Sequence, residues 1–426
     1  MTSADCVVAG CRQVLTCAGP LPKRKEALRE VGVIENGWVA SSKGVIVFAG
    51  TEEEFLAGVS PEPDAVTVDG RGLVALPGFV DAHTHLPFAG DRAREFGLRI
   101  QGWSYQQLAE RGMGIQTTVK ATRAASLDDL LALCLRRLDR MLLTGTTTVE
   151  AKSGYGLNLA DELKQLEVLR DLGALHAIDI VPTFMGAHDI PPEYRDRREE
   201  YVRLLVDTLI PEVSQRGLAE FFDIFCEPGV FSLEETRTLV GAAKAAGVGV
   251  KVHADEFVTL GGAELAAELG AASAEHLIAV SETGIARLAA SATAAILLPG
   301  VSFFLMMDKR APVRRLIEAG AAVALASDYN PGSSHLSSML FILQLGVFTL
   351  GMTVEEAVNA CTANAAFAVN RQASAGSLEP GKKMDLILCD IPDYLWLAYE
   401  PGRNPVRTVL KNGQVVVDDG RKVGPC

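Results

Sequence analysis

Over residues 1 to about 75, short apolar, β-rich runs alternate with turns: Cys6–Ala9, Val31–Ile34, Trp38–Ala40, Gly44–Ala49 and Val66–Asp69. Helical periodicity appears there only around Glu52–Ala57. After Ala75 the pattern changes. Apolar runs of strand length now alternate with amphipathic stretches of helix length, and continue to about residue 365. Eight such runs occur: Gly78–His85, Gly145–Lys152, Ile178–His188, Phe221–Glu227, Val248–Glu256, Ala271–His276, Ala294–Pro299 and Ala321–Asp328. Between them lie Leu127–Leu143, Leu163–Leu172, Glu199–Gln215, Leu233–Ala246, Gly262–Leu269, Thr283–Ala290 and Pro312–Ala319. Strand–helix alternation repeated eight times predicts an α/β fold, a parallel (β/α)8 barrel of the TIM type. An open doubly wound sheet would order its elements similarly. No Gly-x-Gly-x-x-Gly follows an early strand, however, and Gly112-Met-Gly114 lacks a second half. From residue 376 strands and turns return in Met384–Cys389, Val406–Leu410 and Gln414–Val417, the last preceded by the hairpin signal Asn412-Gly413. The predicted organisation is a catalytic barrel over residues 76–365 and a small β-rich satellite domain composed of residues 1–75 and 366–426.

Composition narrows the partners. The chain has 426 residues, 48% hydrophobic and 22% charged, which is the balance of a packed protein. Its 40 Lys+Arg against 53 Asp+Glu give a net charge of −13 with no basic run, which disfavours nucleic acid and anionic membranes. Two stretches free of charged residues, Leu288–Met307 and Tyr329–Val354, are broken by Pro299-Gly300 and by Gln344, Gly346, Thr349 and Gly351. They read as core strands, loops and a core helix rather than membrane spans. The N-terminus has neither the basic start nor the apolar core of a signal peptide. Eight cysteines include no CxxC pair, and the spacing of Cys6, Cys11 and Cys17 matches no zinc module. Reduced thiols and a cytoplasmic location are expected.

A barrel keeps its chemistry at the C-terminal ends of its strands, so the polar residues ending the eight runs matter most. The first run ends His83-Thr-His85, two imidazoles two residues apart and hence on one face. The second ends Glu150-Ala-Lys152-Ser-Gly-Tyr155, the third at His188, the fifth His253-Ala-Asp-Glu256, the sixth Glu275-His276 and the eighth Asp328-Tyr-Asn330. Five of the chain's seven histidines thus fall at predicted strand ends. His176 lies in the approach to a strand and reads as structural, while His335 stands in the loop after Ser333-Ser334. His83, His85, His253 and Asp328 together offer three neutral nitrogens and one carboxylate, a ligand set for Zn²⁺ or iron that leaves room for water. Such an ion lowers the pKa of water and makes hydroxide available at neutral pH. Asp328 can accept the water's proton, His276 can polarise the carbonyl under attack, and Glu256 can carry a proton to a departing nitrogen. Hydrolysis at an amide-like or amidine-like carbon follows. The end of the fourth run reads Phe225-Cys226-Glu227, without the lysine on which two-metal barrel hydrolases build their bridge, so one metal is expected.

These residues resemble the amidohydrolase superfamily and, within it, the imidazolonepropionase family, over roughly residues 30 to 420. Long strings carry the likeness: Pro77-Gly-Phe-Val-Asp-Ala-His-Thr-His-Leu-Pro-Phe-Ala-Gly-Asp-Arg92, Glu150-Ala-Lys-Ser-Gly-Tyr-Gly156, Thr183-Phe-Met-Gly-Ala-His188, Val252-His-Ala-Asp-Glu-Phe257 and Ala326-Ser-Asp-Tyr-Asn-Pro-Gly-Ser-Ser334. The Pro-Gly-Phe-Val-Asp-x-His-x-His opening belongs to the whole superfamily, whereas Lys-Ser-Gly-Tyr-Gly and Asp-Tyr-Asn-Pro-Gly-Ser are much narrower. The resemblance implies hydrolytic ring opening of 4-imidazolone-5-propanoate to N-formimidoyl-L-glutamate, a step of histidine degradation. It also implies one metal held by His83, His85, His253 and Asp328, and a homodimer. By matching positions, Arg92 meets the substrate propionate, and Tyr105, Tyr155, His188 and Glu256 line the ring pocket. His276 lies near the scissile carbonyl, and Asn330, Gly332 and Ser333 close the pocket from the last loop.

The chain departs from the family where His335-Leu-Ser-Ser replaces a proline followed closely by Glu-Ser, and where Tyr329 replaces the common phenylalanine. The first change is expected beside the carboxylate pocket and bears on the substrate tail accepted. Two rivals share parts of the pattern. A single-metal deaminase of cytosine- or guanine-like rings would use the same ligands with Glu256 and His276, but has little use for Arg92 and Tyr155. A non-catalytic scaffold barrel would have lost ligands, and this chain has them all.

Overall fold

The computed structural model of the chain describes residues 1–103, 107 and 113–423. Eight parallel strands form one sheet in sequential order. They are β1 (Phe79–Asp81), β2 (Thr146–Lys152), β3 (Asp179–Ala187), β4 (Phe221–Cys226), β5 (Gly249–Ala254), β6 (Ser273–His276), β7 (Ala294–Leu297) and β8 (Ala322–Leu325). The sheet nearly closes just beyond the strand ends. A parallel bridge joins Thr84 to Tyr329, Asp328 N–H donates to the His83 carbonyl at 3.0 Å, and Ser327 N–H donates to Asp81 Oδ1 at 3.0 Å. Each expected run is matched by a strand, although the ladder in β1 and β8 stops short of the histidines and Asp328. Those residues continue in extended chain past the rim.

Helices cover the outside because their apolar stripes need the sheet. The helix Leu127–Leu142 is capped by Ser126, whose hydroxyl accepts from Asp129 N–H, and buries Leu130, Cys134, Leu138 and Met141. Leu233–Ala245 opens with a capping box between Ser232 and Glu235. The expected single helix over 199–215 divides into Arg198–Leu204, a π-helical turn Leu205–Leu209, and Ile210–Gln215. Pro211 explains part of this, since it has no amide to donate back into the preceding turn. Of the uncharged stretches, one contains β7 and the short helix Pro299–Phe304, and the other the core helix Met339–Leu350. Among the described residues no helix is long and apolar enough to cross a membrane.

Both chain ends meet in a second, mixed sheet of nine strands. The N-terminal strands run longer than the apolar runs suggest: Val33 and Ile34 of one run and all of Trp38–Ala40 belong to a single strand, Val33–Ser42, paired with Thr2–Leu15. Val74–Pro77 pairs with Leu386–Cys389, which joins the two ends of the chain immediately before β1. Asp179, at the start of β3, ties the two sheets together through Lys383 (2.7 Å) and Lys411 (2.8 Å). The seven described cysteines are buried and free, with Cys6 and Cys11 in this sheet's apolar core.

Candidate active site

The rim residues converge. His83 Nε2 and His85 Nε2 lie 3.2 and 3.3 Å from the same Asp328 Oδ1. Donor atoms of His83, His85 and His253 fall within 4.8 Å of one another. These spacings match the roughly 3.4 Å edge of a tetrahedron whose corners stand about 2.1 Å from its centre, as metal ligands do. His83 Nε2, His253 Nε2 and Asp328 Oδ1 are buried and satisfied by no hydrogen bond. Buried polar atoms are rarely left so, and a cation among them satisfies all three. The residues therefore fit a metal ion. Asp328 and His276 hold left-handed backbone conformations (φ 50° and 72°), which few non-glycine residues adopt without functional reason.

The other ring nitrogens of two histidines are held by carboxylates. Glu275 Oε2 lies 2.6 Å from His83 Nδ1, and Asp223 Oδ1 is 3.1 Å from His253 Nδ1. Each carboxylate fixes its ring so that Nε2 faces the site. Lys152 lies 2.7 Å from Glu150 and 2.8 Å from Asp223, and Lys251 lies 2.7 Å from Glu275. Sequence reasoning assigned none of these five residues a role. Their signal was a charged residue at an inward position of an otherwise apolar strand, where burial demands a partner. Burial penalises the Lys152 ammonium, yet Asp223, Glu150 and Glu275 outweigh it and keep its pKa above the ordinary lysine value.

A cavity of about 570 Å³ opens from the ligands and is lined by His85, Arg92, Tyr155, His188, Glu256, His276, Asn330, Gly332 and Ser333, among others. Every residue expected there is present except Tyr105, which lies outside the described residues. The loops carrying them are pinned by buried carboxylates. Glu162 accepts N–H bonds from Gly154, Gly156 and Leu157 (3.1, 2.8 and 2.8 Å) and so sets Tyr155. Glu227 does the same for Glu256, Phe257 and Val258. His188 Nδ1 lies 3.0 Å from the Gly154 carbonyl and its ring stacks on His85 at 4.8 Å. His276 Nε2 lies 3.5 Å from Glu256 Oε2.

Electrostatics divides these groups. Burial, reinforced by Asp328 and Glu227, raises the Glu256 carboxyl well above the ordinary glutamate range. Burial lowers His85 to about 4 and His188 to about 3, leaving neutral imidazoles. Burial opposes ionisation of Asp328, but His83 and His85 beside it prevail and keep it well below the usual carboxylate range.

Arg92 has a partner that the sequence did not suggest. Its Nε lies 2.9 Å from Glu95 Oε2, and Nη2 meets Glu95 Oε1. Nη1 is left facing Gly332, where a Cβ would stand only 1.9 Å away. Arg99 lines the same cavity, with its guanidinium against Phe304 and Phe96. His335 is absent from the cavity lining. It packs on Tyr329 (5.0 Å) and Phe88 (6.1 Å), and its Nδ1 lies 3.4 Å from the carbonyl of Asn330, so the departure at that position touches the pocket loop without facing the cavity. His176 contacts Asp139 at 3.3 Å, away from the rim, as expected of a structural residue.

Comparison with known proteins agrees with this geometry. The family model described as "Amidohydrolase family" matches residues 74–416. An imidazolonepropionase of Symbiobacterium thermophilum is 51% identical over 422 residues, covering 99% of each chain. One from Geobacillus kaustophilus is 49% identical over 96% of this chain and 97% of its own. This chain belongs to the imidazolonepropionase family of amidohydrolases. Solved structures share the fold at lower identity. A zinc-bound adenosine deaminase from Xanthomonas campestris has a TM-score of 0.69 at 18% identity, covering 100% of this chain and 95% of its own. A triazine hydrolase variant has a TM-score of 0.73 at 17% identity, covering 98% and 96%. Family membership together with the histidine–aspartate cluster makes this a divalent-metal site.

Proposed function

We propose that the chain hydrolyses 4-imidazolone-5-propanoate to N-formimidoyl-L-glutamate at one zinc or iron ion held by His83, His85, His253 and Asp328. The observation that carries this reading is the group of unsatisfied imidazole and carboxylate atoms opening into a cavity that also holds an arginine. Near-full-length likeness to imidazolonepropionases supports the substrate. A divalent ion supplies Lewis acidity and lowers the pKa of water there, and the three-nitrogen, one-oxygen set suits zinc and iron alike. Asp328 accepts the proton of the attacking water. Water adds to the ring carbonyl carbon, with His276 directed at its oxygen. The carbonyl carbon–nitrogen bond breaks, and the protonated Glu256 carboxyl delivers a proton to the leaving nitrogen, which becomes part of the formimidoyl group. Arg92, with one edge held by Glu95, offers Nη1 to the propionate, and the backbone and side chains of Asn330, Gly332 and Ser333 close that end. Tyr155 and His188 flank the ring, and Tyr105 is assigned to the same wall.

In this reading residues 76–365 are the catalytic barrel, and residues 1–75 with 366–426 the satellite domain. The protein works in the cytoplasm as a homodimer, in keeping with its free buried thiols. The test is a direct assay on metal-analysed protein, following loss of imidazolone absorbance and formation of formimidoylglutamate. Turnover is expected to disappear with chelation, return with zinc or iron, and fall steeply in Arg92→Ala. No turnover by folded, metal-loaded protein would overturn the substrate assignment.

A further inference from the structure

A second group of charges lies behind the ligand rings, outside the cavity lining. Glu150, Lys152, Asp223, Lys251 and Glu275 are all fully buried. Glu275 Oε2 reaches both His83 Nδ1 (2.6 Å) and His253 Nδ1 (3.6 Å), and Asp223 Oδ1 reaches His253 Nδ1 (3.1 Å). His83, Asp223, His253 and Glu275 have the donor types and spacing of a metal-ligand cluster in their own right. An ammonium already stands among them. Lys152 Nζ is 2.8 Å from Asp223 Oδ2 and 3.4 Å from Glu275 Oε2, with its third contact at Glu150 (2.7 Å). Lys251 engages Glu275 alone among the carboxylates (2.7 Å), and its other bond goes to the Ala82 carbonyl (3.1 Å). Lys152 is therefore the ammonium of the two that touches both Asp223 and Glu275.

Two carboxylates buried side by side repel, and without a cation between them one turns away. That removes an acceptor from a histidine Nδ1 and frees the ring to rotate.

We propose that Lys152 is the positioning cation of the metal centre. Its ammonium fills the cation position behind the rings, holds Asp223 and Glu275 as acceptors, and through them keeps His83 and His253 presenting Nε2 to a single metal ion. This rests on the reading of His83 and His253 as ligands.

The test uses full-length Lys152→Met, freed of metal and titrated with Zn²⁺ against a chromophoric chelator, with Co²⁺ spectra alongside. The zinc dissociation constant is expected to rise roughly 10- to 100-fold, as when carboxylate partners of ligand histidines are removed. The Co²⁺ bands should shift and the zinc-induced gain in Tm should shrink. Lys251→Met, which removes a cation from Glu275 but none from Asp223, should give a smaller effect. Native zinc affinity with an unchanged Co²⁺ spectrum in Lys152→Met would overturn the proposal. If that variant does not fold, Asp223→Asn takes its place: it removes the charge between Lys152 and His253, and native zinc affinity there would equally overturn the proposal. His253→Ala and Asp328→Asn separate the two readings. If they keep tight zinc, the ligand assignment fails. If they lose it while Lys152→Met does not, only the role of Lys152 fails.

Discussion

Gly332 faces Arg92 at a distance that leaves no room for a methyl group. Its φ lies outside the left-handed region, so the need for glycine is one of space. An alanine Cβ would stand 1.9 Å from Arg92 Nη1 and 2.6 Å from Cζ, where non-bonded carbon contacts need about 3.5 Å. Something must move by more than an ångström. The turn resists, because Asn330 Oδ1 accepts from Gly332 N–H (2.7 Å) and Ser333 N–H (2.8 Å), and Asn330 N–H donates to the Ser334 carbonyl (2.9 Å). The guanidinium resists too, since Glu95 holds two of its nitrogens while accepting from Gly114 N–H at 2.9 Å. Gly332→Ala should therefore pull Nη1 away from the substrate carboxylate. A charge-assisted hydrogen bond contributes about 1.5–3 kcal/mol, so kcat/KM should fall roughly tenfold to hundredfold. The propionate stays bound in ground and transition states alike, so the loss should appear as a higher KM with kcat nearly kept. Steady-state assays on the propanoate and on its neutral propanamide analogue measure this. The analogue, which makes no ion pair, should be almost unaffected. An unchanged KM for the propanoate in a folded variant would refute the reasoning, and an equal loss on both substrates would assign it to a displaced loop.

Glu256→Gln keeps the shape of the side chain but removes its proton, and kcat should drop about 10²- to 10⁴-fold with little change in KM; wild-type turnover would exclude Glu256 as the acid. Glu162→Ala strands the N–H groups of Gly154, Gly156 and Leu157. At about 1–3 kcal/mol each, several kcal/mol of stability should go, read as a lower urea midpoint that an unaltered curve would contradict. For Asp179, burial raises the pKa but Lys411 and Lys383 prevail and hold it below the ordinary aspartate value. Because its folded pKa is depressed, its contribution is present above the unfolded value of about 3.9 and disappears as pH falls through the folded one. Asp179→Asn should then melt below wild type at pH 7, with the gap closing under acid; a gap constant from pH 7 to pH 3 would count against the ion pair.

What the sequence by itself determined is the barrel and most of the site. Burial on both faces makes each parallel strand a short apolar run, and the fold places reactive groups where those runs end. His83, His85, His253 and Asp328 were legible because histidine is sparse and two of the four share one strand end. Tertiary structure alone decided what supports them. Glu275 lies 192 residues from His83 in the chain and comes within hydrogen-bonding distance across the barrel interior, whereas Asp223, 30 residues from His253, reaches it from the neighbouring strand. Glu95 sits one helical turn from Arg92, a spacing equally at home in a solvated surface pair, and only the cavity wall shows that the pair faces the candidate site. His335 shows the converse. Its nearness in sequence to the pocket loop suggested a part in recognition, and the turn at Asn330–Ser334 seats its ring on Tyr329 and against the Asn330 carbonyl (3.4 Å), outside the cavity lining. Apolar periodicity records which residues are buried and in what order. Which buried charges meet depends on strand order and register, and these are fixed only when the sheet curls round and β8 comes to lie beside β1.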